Sequence, residues 1–270
     1  MRRLVLFSFT CVASLCHAVV ATTSKDSPLG GDTSWSFVGT MSGASAVAIG
    51  PRTVLTAGHV AAGDFTLDGQ SYRFTSTEMA PAVKRKPVDL RIVQLEDTLP
   101  GWYEVAKSVG TKNTVTMVGF GQTGVVNTRS SGYELIGGSM VRRAGKNLIT
   151  SKKSTDRGPS LIAMLDGAGE AALAGGDSGG GWFVNGKLVG VSGFTYTKNS
   201  RKASYGFAKK AYFGSGAIDL TNSSIQKWLR AATSRGLPPP ESGHPQAVPE
   251  PASLLALAVG GVILTRGRKR

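Results

Sequence analysis

The chain has 270 residues and a formal charge of +14, from 31 lysines and arginines against 17 acids. That length suffices for one large domain or two small ones with a substantial core. Two cysteines and three histidines exclude a disulfide-stapled scaffold and a zinc set, no phosphate loop follows a strand, and no metal or cofactor is expected.

Both ends read as addresses. Met1-Arg2-Arg3 and the apolar run 4–16 form the n-region and h-region of a signal peptide spanning 1–18, with Ala18 or Ala21 as cleavage residue. The alternative is a buried amino-terminal strand or helix. Cys11 and Cys16 both fall inside this segment, so the exported protein has no disulfide and its stability rests on its core. Without the two amino-terminal arginines and the four basic residues of 266–270, the charge is +8. It is spread over clusters such as Lys84-Arg85-Lys86 and Lys209-Lys210. These read as solvated loops, or as a surface drawn to acidic exopolysaccharide or membrane. Nucleic acid is not expected of an exported chain without aromatic–basic interleaving.

In chain order, strands are predicted at 45–49, 53–56, 90–95, 114–118, 135–143, 161–165, 181–184 and 187–191, from β-branched or alternating segments between glycine-bearing turns. Asn185-Gly186 between two apolar runs predicts a hairpin. A helix is predicted over 223–232, capped by Asn222 or Ser223, with Ile225, Trp228 and Leu229 on one face. Many short strands and one late helix predict an all-β barrel or sandwich.

Residues 236–247 form a proline-rich linker. Val248-Pro249-Glu250-Pro251 follows, then an apolar run of 14 residues over 252–265 and the basic end Arg266-Gly267-Arg268-Lys269-Arg270. The run is shorter than the roughly 20 residues that span a bilayer, though local thinning accommodates it. In their order, these three parts at 248–270 resemble the PEP-CTERM sorting signal. That resemblance implies a membrane-anchored precursor held by a short transmembrane helix and cut near 248–251 by an exosortase-type enzyme. The final place would be the surface or extracellular matrix of a Gram-negative bacterium. An ordinary tail anchor is the alternative.

Three motifs carry the chemistry. Gly175-Gly176-Asp177-Ser178-Gly179-Gly180-Gly181 exposes a serine on a turn rich in backbone N–H groups. Thr56-Ala57-Gly58-His59 and Asp89-Leu90-Arg91-Ile92-Val93 supply a histidine and an aspartate upstream. The order His59, Asp89, Ser178 is that of a nucleophilic triad. A serine hydroxyl needs a positioned base, an imidazole exchanges one proton near neutral pH, and a carboxylate orients it. Asp64, Asp68 and Asp97 are rivals to Asp89, but no alternating apolar strand follows them.

With Val118-Gly119-Phe120-Gly121 and Gly190-Val191-Ser192-Gly193, these motifs resemble the trypsin/chymotrypsin family of serine proteases over 19–232. The resemblance implies two six-stranded antiparallel β-barrels and a short carboxy-terminal helix within a peptidase domain at 19–235. The first barrel would carry His59 and Asp89, and the second Ser178. It further implies a peptide or protein substrate, an acyl-enzyme intermediate, and an oxyanion hole from the N–H groups of Gly176 and Ser178. Ala172 would lie at the base of the primary pocket, with Ser192, Gly193 and Phe194 at its edge and Glu170 nearby. Ala172 disfavours Arg or Lys selectivity, and Phe194 favours small or medium apolar side chains. Asp177 would pair with an amino terminus at Val19 made by signal cleavage, or be buried with another partner. A catalytically inactive surface or matrix binding protein on the same fold is the alternative function, and an esterase a narrower one.

Overall fold

A computed structural model describes residues 20–21, 35–127, 132–137, 140–167, 169–198 and 212–234. The segments expected to form the signal peptide, the linker and the sorting tail fall outside the described residues, as do Val19, His17 and His244. Among the described residues no helix is long and apolar enough to cross a membrane.

After the short strand β1 (Val20–Ala21), the first unit comprises β2 (Val38–Met41), β3 (Ala44–Gly50), β4 (Thr53–Ala57), β5 (Phe65–Leu67), β6 (Gln70–Tyr72), β7 (Phe74–Met79) and β8 (Leu90–Leu95). They form one antiparallel sheet in the order β6-β5-β2-β3-β4-β8-β7. The second unit carries β9 (Thr114–Gly119), β10 (Thr123–Asn127), β11 (Gly132–Gly137), β12 (Arg143–Leu148), β13 (Ser151–Thr155), β14 (Gly158–Met164), β15 (Ala171–Ala172), β16 (Gly181–Val184), β17 (Lys187–Lys198) and β18 (Tyr212–Asp219). Its main sheet runs β12-β9-β16-β17-β18-β14-β13, and two-stranded sheets pair β1 with β15 and β10 with β11. The all-β, two-unit architecture is as expected, with seven strands rather than six in each main sheet. One helix, α1 (Ser223–Ser234), closes the described chain.

Side chains alternate faces along a strand, and here both faces find apolar partners. Val54 of β4 and Val93 of β8 point into the first unit's own core with Met41, Phe65 and Leu95. Their neighbours Leu55 and Ile92 point the other way, into a seam shared with Phe183, Val191 and Ile218 of the second unit. Trp182, Met117 and Val189 do the same for the second unit's core. The two sheets are thereby joined by a continuous apolar layer, with Trp35 tilted against Phe183 and Tyr103 edge-on to it at centroid distances of 4.6 and 4.7 Å. The helix lies on this seam through Ile225, Trp228, Leu229 and Ala232, spaced to share one helical face. Asn222 caps it by accepting the Ser224 N–H, and the Trp228 indole N–H donates to Glu78 of β7 at 2.7 Å.

The Asn185-Gly186 hairpin forms as expected, with positive φ at both residues and Val184 opposite Lys187. The strand expected at 135–143 is a misreading. The structure ends β11 at Gly137 and starts β12 at Arg143, with Met140 at a φ of 66° in a bend between them. Trp182 is fully buried, and its indole N–H donates to the Ser192 hydroxyl at 3.1 Å. Trp182→Ala should therefore cost about 3–5 kcal/mol in urea denaturation. Trp182→Phe, which keeps most of the volume and loses the bond, should cost about 1–2 kcal/mol.

Candidate active site at the junction of the two sheets

β4 and β8 are antiparallel, with Ala57 opposite Leu90. The residues just beyond the end of β4 and just before β8 are therefore neighbours in space. Gly58 makes the approach possible, because a Cβ there would lie 3.0 Å from both Asp89 Oδ1 and the Leu90 nitrogen. Asp89 Oδ1 accepts the His59 backbone N–H at 2.8 Å, and Asp89 Oδ2 lies 2.8 Å from His59 Nδ1. On the far side of the ring, His59 Nε2 is 2.9 Å from Ser178 Oγ. A hydroxyl, an imidazole and a carboxylate thus stand in one unbroken hydrogen-bonded line, in which the imidazole can take the hydroxyl proton while the carboxylate orients it.

Burial pushes the Asp89 carboxyl up. The hydrogen bonds and charge of His59, together with the charge of Arg157, outweigh it, and the group lies below its ordinary range. The rivals are engaged elsewhere: Asp64 accepts the Phe74 N–H, and Asp68 pairs with Arg142.

The turn from β15 to β16 holds Ser178. Gly176 and Gly179 have φ values of 95° and 88°, left-handed positions that glycine adopts without strain. Ser45 of β3 braces the turn from the other sheet. Its N–H donates to Ser178 O at 2.9 Å, its hydroxyl donates to Gly176 O at 2.9 Å, and it accepts the Phe120 N–H at 2.9 Å. Ser45 is fully buried, and sequence reasoning missed it because nothing local distinguishes it from any other strand serine. Among the described residues, the N–H groups of Gly176 and Ser178 donate to no protein acceptor.

Asp177 is fully buried beneath the turn. Its oxygens accept N–H groups from Gly121 at 2.8 Å and Ala174 at 2.9 Å. A Cβ on Gly119 or Gly121 would fall 2.3 or 2.5 Å from this carboxyl group, so both glycines are needed to admit it. Burial dominates: the group is pushed up to about 7 despite these bonds and the charge of Arg143.

Ala172 is buried in β15, opposite Val20. Ser192 is buried and turned toward Trp182. Gly193 sits in a bulge between Ser192 and Phe194, whose ring lies against Gly216 of β18. Glu170 bonds the N–H groups of Asp166 and Gly167 in its own turn. Among the described residues no cluster of His, Cys, Asp or Glu could hold a metal.

Two packed antiparallel sheets with a serine, a histidine and an aspartate at their junction define a chymotrypsin-like fold. The trypsin family model matches residues 27–213. The chain belongs to the trypsin family of serine proteases. It overlays with a TM-score of 0.53 on a solved structure of neuropsin, described as a serine protease expressed in the limbic system of mouse brain. That overlay has 14% identity and covers 74% of this chain and 95% of the other. No curated protein matches the sequence.

Proposed function

We propose that this protein is an exported serine endopeptidase. Ser178 is the nucleophile, His59 its general base and then acid, and Asp89 the group that orients the imidazole and stabilises its charged form. The observation that carries this reading is the 2.9 Å approach of Ser178 Oγ to His59 Nε2, with Asp89 behind it at 2.8 Å. The Ser178 oxygen attacks the scissile carbonyl as His59 takes its proton. The N–H groups of Gly176 and Ser178 receive the resulting oxyanion. His59 then returns the proton to the leaving amine, and water repeats the sequence on the acyl-enzyme. Ala172, Ser192, Gly193 and Phe194 form the primary pocket. With the Phe194 ring against Gly216, small or medium apolar side chains are the favoured occupants. Covalent capture of Ser178 by a fluorophosphonate, with a peptide-library cleavage profile, tests the assignment. An intact, folded protein that is neither labelled nor active belongs to the inactive binding class instead, and one that cleaves only esters is an esterase.

The amino-terminal segment is a signal peptide in this reading, and the tail 248–270 a PEP-CTERM signal. The precursor sits in the inner membrane until an exosortase-type enzyme cuts near 248–251. The mature enzyme then works at the cell surface or in the matrix, where acidic exopolysaccharide meets its basic surface.

Signal cleavage after Ala18 makes Val19 the activating terminus, its ammonium group pairing with Asp177. The register of Val20 with Ala172, five residues before Asp177, supports this. The pH dependence separates the paired and unpaired states. An unpaired Asp177, pushed up to about 7, holds in the folded protein a proton that the unfolded chain has released above its ordinary value. Stability then falls as pH rises from about 4 to 7, by about 4 kcal/mol at most. A protein starting at Val19 should lack this decline and one starting at Thr22 should have it, as read from urea midpoints across that range. Amino-terminal sequencing that finds the exported protein starting at Thr22 or later removes the idea.

A further inference from the structure

Asp89 is gripped by a residue outside the three motifs. Arg157 lies in the two-residue tip of the β13–β14 hairpin, where Thr155 faces Gly158. Its N–H is tied to Thr155 Oγ1 at 3.1 Å. The tip is docked on the strand entry of the first unit. Gly158, at a φ of 107°, has no room for a side chain free of contact: a Cβ would lie 3.1 Å from Val88 Cγ2 and 3.3 Å from Pro87 O. Arg157 O accepts the Asp89 N–H at 2.9 Å, and Arg157 Nη1 donates to Asp89 Oδ2 at 2.9 Å. Backbone and side chain of one residue thus hold the aspartate from the opposite sheet.

We propose that Arg157 is a positioning residue for Asp89, setting the direction of Oδ2 toward His59 Nδ1. This rests on the protease reading of Ser178, His59 and Asp89. Oδ2 is shared between the imidazole and the guanidinium, while Oδ1 takes the His59 backbone N–H. Among the described residues, no side chain from β17 takes that place. Ser192 is turned to the Trp182 indole, and a Cβ on Gly193 would stop 3.8 Å from Oδ2. Without Arg157 the carboxylate loses its only donor from the second sheet among the described residues. The Arg157 side chain is 43% exposed, so the pair contributes little to stability and its effect belongs to catalysis. The guanidinium also sets a positive charge beside the acceptor of the imidazole proton. The ionisable groups acting on Asp89 are His59 and Arg157. Losing the arginine leaves Asp89 easier to protonate, which moves the acidic limb of activity to higher pH.

The test compares the exported protein with R157M and R157K. Fluorophosphonate labelling of the unchanged protein establishes first that the hydrolase reading stands. R157M should then lower kcat by about 10–100-fold with KM within about twofold, since small misplacements of reacting groups cost rates of that order. The acidic limb of kcat/KM should move up, and R157K should recover most of both losses. Independently of activity, the low-field proton resonance of His59 Nδ1–H should broaden or vanish in R157M and persist in R157K. Parental kcat, pH profile and resonance in R157M would overturn the proposal, as would a loss confined to KM. Should R157M fail to fold, R157Q decides, because a profile displaced to higher pH with a weakened resonance supports the proposal and a parental profile with the parental resonance rejects it. An unlabelled parent defeats the protease reading alone, and the resonance still reports on Arg157.

Discussion

Ser178→Ala should fold like the parent and hydrolyse peptides about 10⁶-fold more slowly in kcat. The change removes one oxygen, whose hydrogen bond is to His59 Nε2 at 2.9 Å. The bonds that hold the turn do not use the Ser178 side chain: Ser178 O accepts the Ser45 N–H at 2.9 Å, and Gly179 N–H donates to Ser192 O at 2.8 Å. These bonds survive the substitution, so stability should change by less than about 0.5 kcal/mol. The N–H groups of Gly176 and Ser178 also survive, leaving a residual acceleration of roughly 10³–10⁴ over water. His59→Ala should cost about as much, and the double substitution little more, because the groups act as one unit. Single-turnover assays with a peptide substrate measure the rates, and fluorophosphonate labelling reports the nucleophile. An alanine variant within a hundredfold of the parent would mean that another group attacks the carbonyl.

The parts of this site legible in the sequence are those set by local chemistry. Gly58-His59 and Asp89 could be paired in advance because each abuts a strand visible in the sequence, and the two strands prove to be neighbours in register. The turn around Ser178 was legible because its glycines are unusual at that density. Ser45 and Arg157 were not. Ser45 meets the turn across 131 residues to Gly176, and Arg157 reaches Asp89 across 68. Neither neighbourhood carries a local sign of those partners. β18 escaped notice for a related reason. No strand was predicted over 212–219, where Gly214 and Gly216 lower strand propensity, yet glycine is needed mid-strand at 216 because a Cβ there would fall 2.3 Å from the Phe194 ring. The run 135–143 failed in the opposite way, since apolar Leu135-Ile136 and Met140-Val141 suggest one strand, whereas the chain bends at 140–141 and β12 pairs with β9 only from Arg143.

Gly179→Ala should be the most damaging single methyl in the molecule's centre, costing more than about 4 kcal/mol and abolishing activity. Two separate demands meet at Gly179. Its φ of 88° is one an alanine adopts only with strain, a cost of about 1–2 kcal/mol. The larger demand is space. An added Cβ would lie 1.9 Å from Ser45 O and 2.2 Å from Thr56 Oγ1, and the first of these is backbone in the middle of a sheet. Ser45 O already accepts the Thr56 hydroxyl at 2.8 Å, so it cannot retreat without breaking that bond. Either β3 moves or the turn does. In both cases the bonds from Ser45 to Ser178 O and Gly176 O are lost, and with them the brace that sets Ser178 opposite His59. Gly43→Ala isolates the first demand, because Gly43 has a φ of 76° and nothing within 4 Å of its added methyl. That variant should lose only about 1–2 kcal/mol and keep its activity. Urea denaturation of the two variants side by side measures the difference. A Gly179→Ala protein as stable as Gly43→Ala would mean that the serine turn does not depend on the close approach of the two sheets.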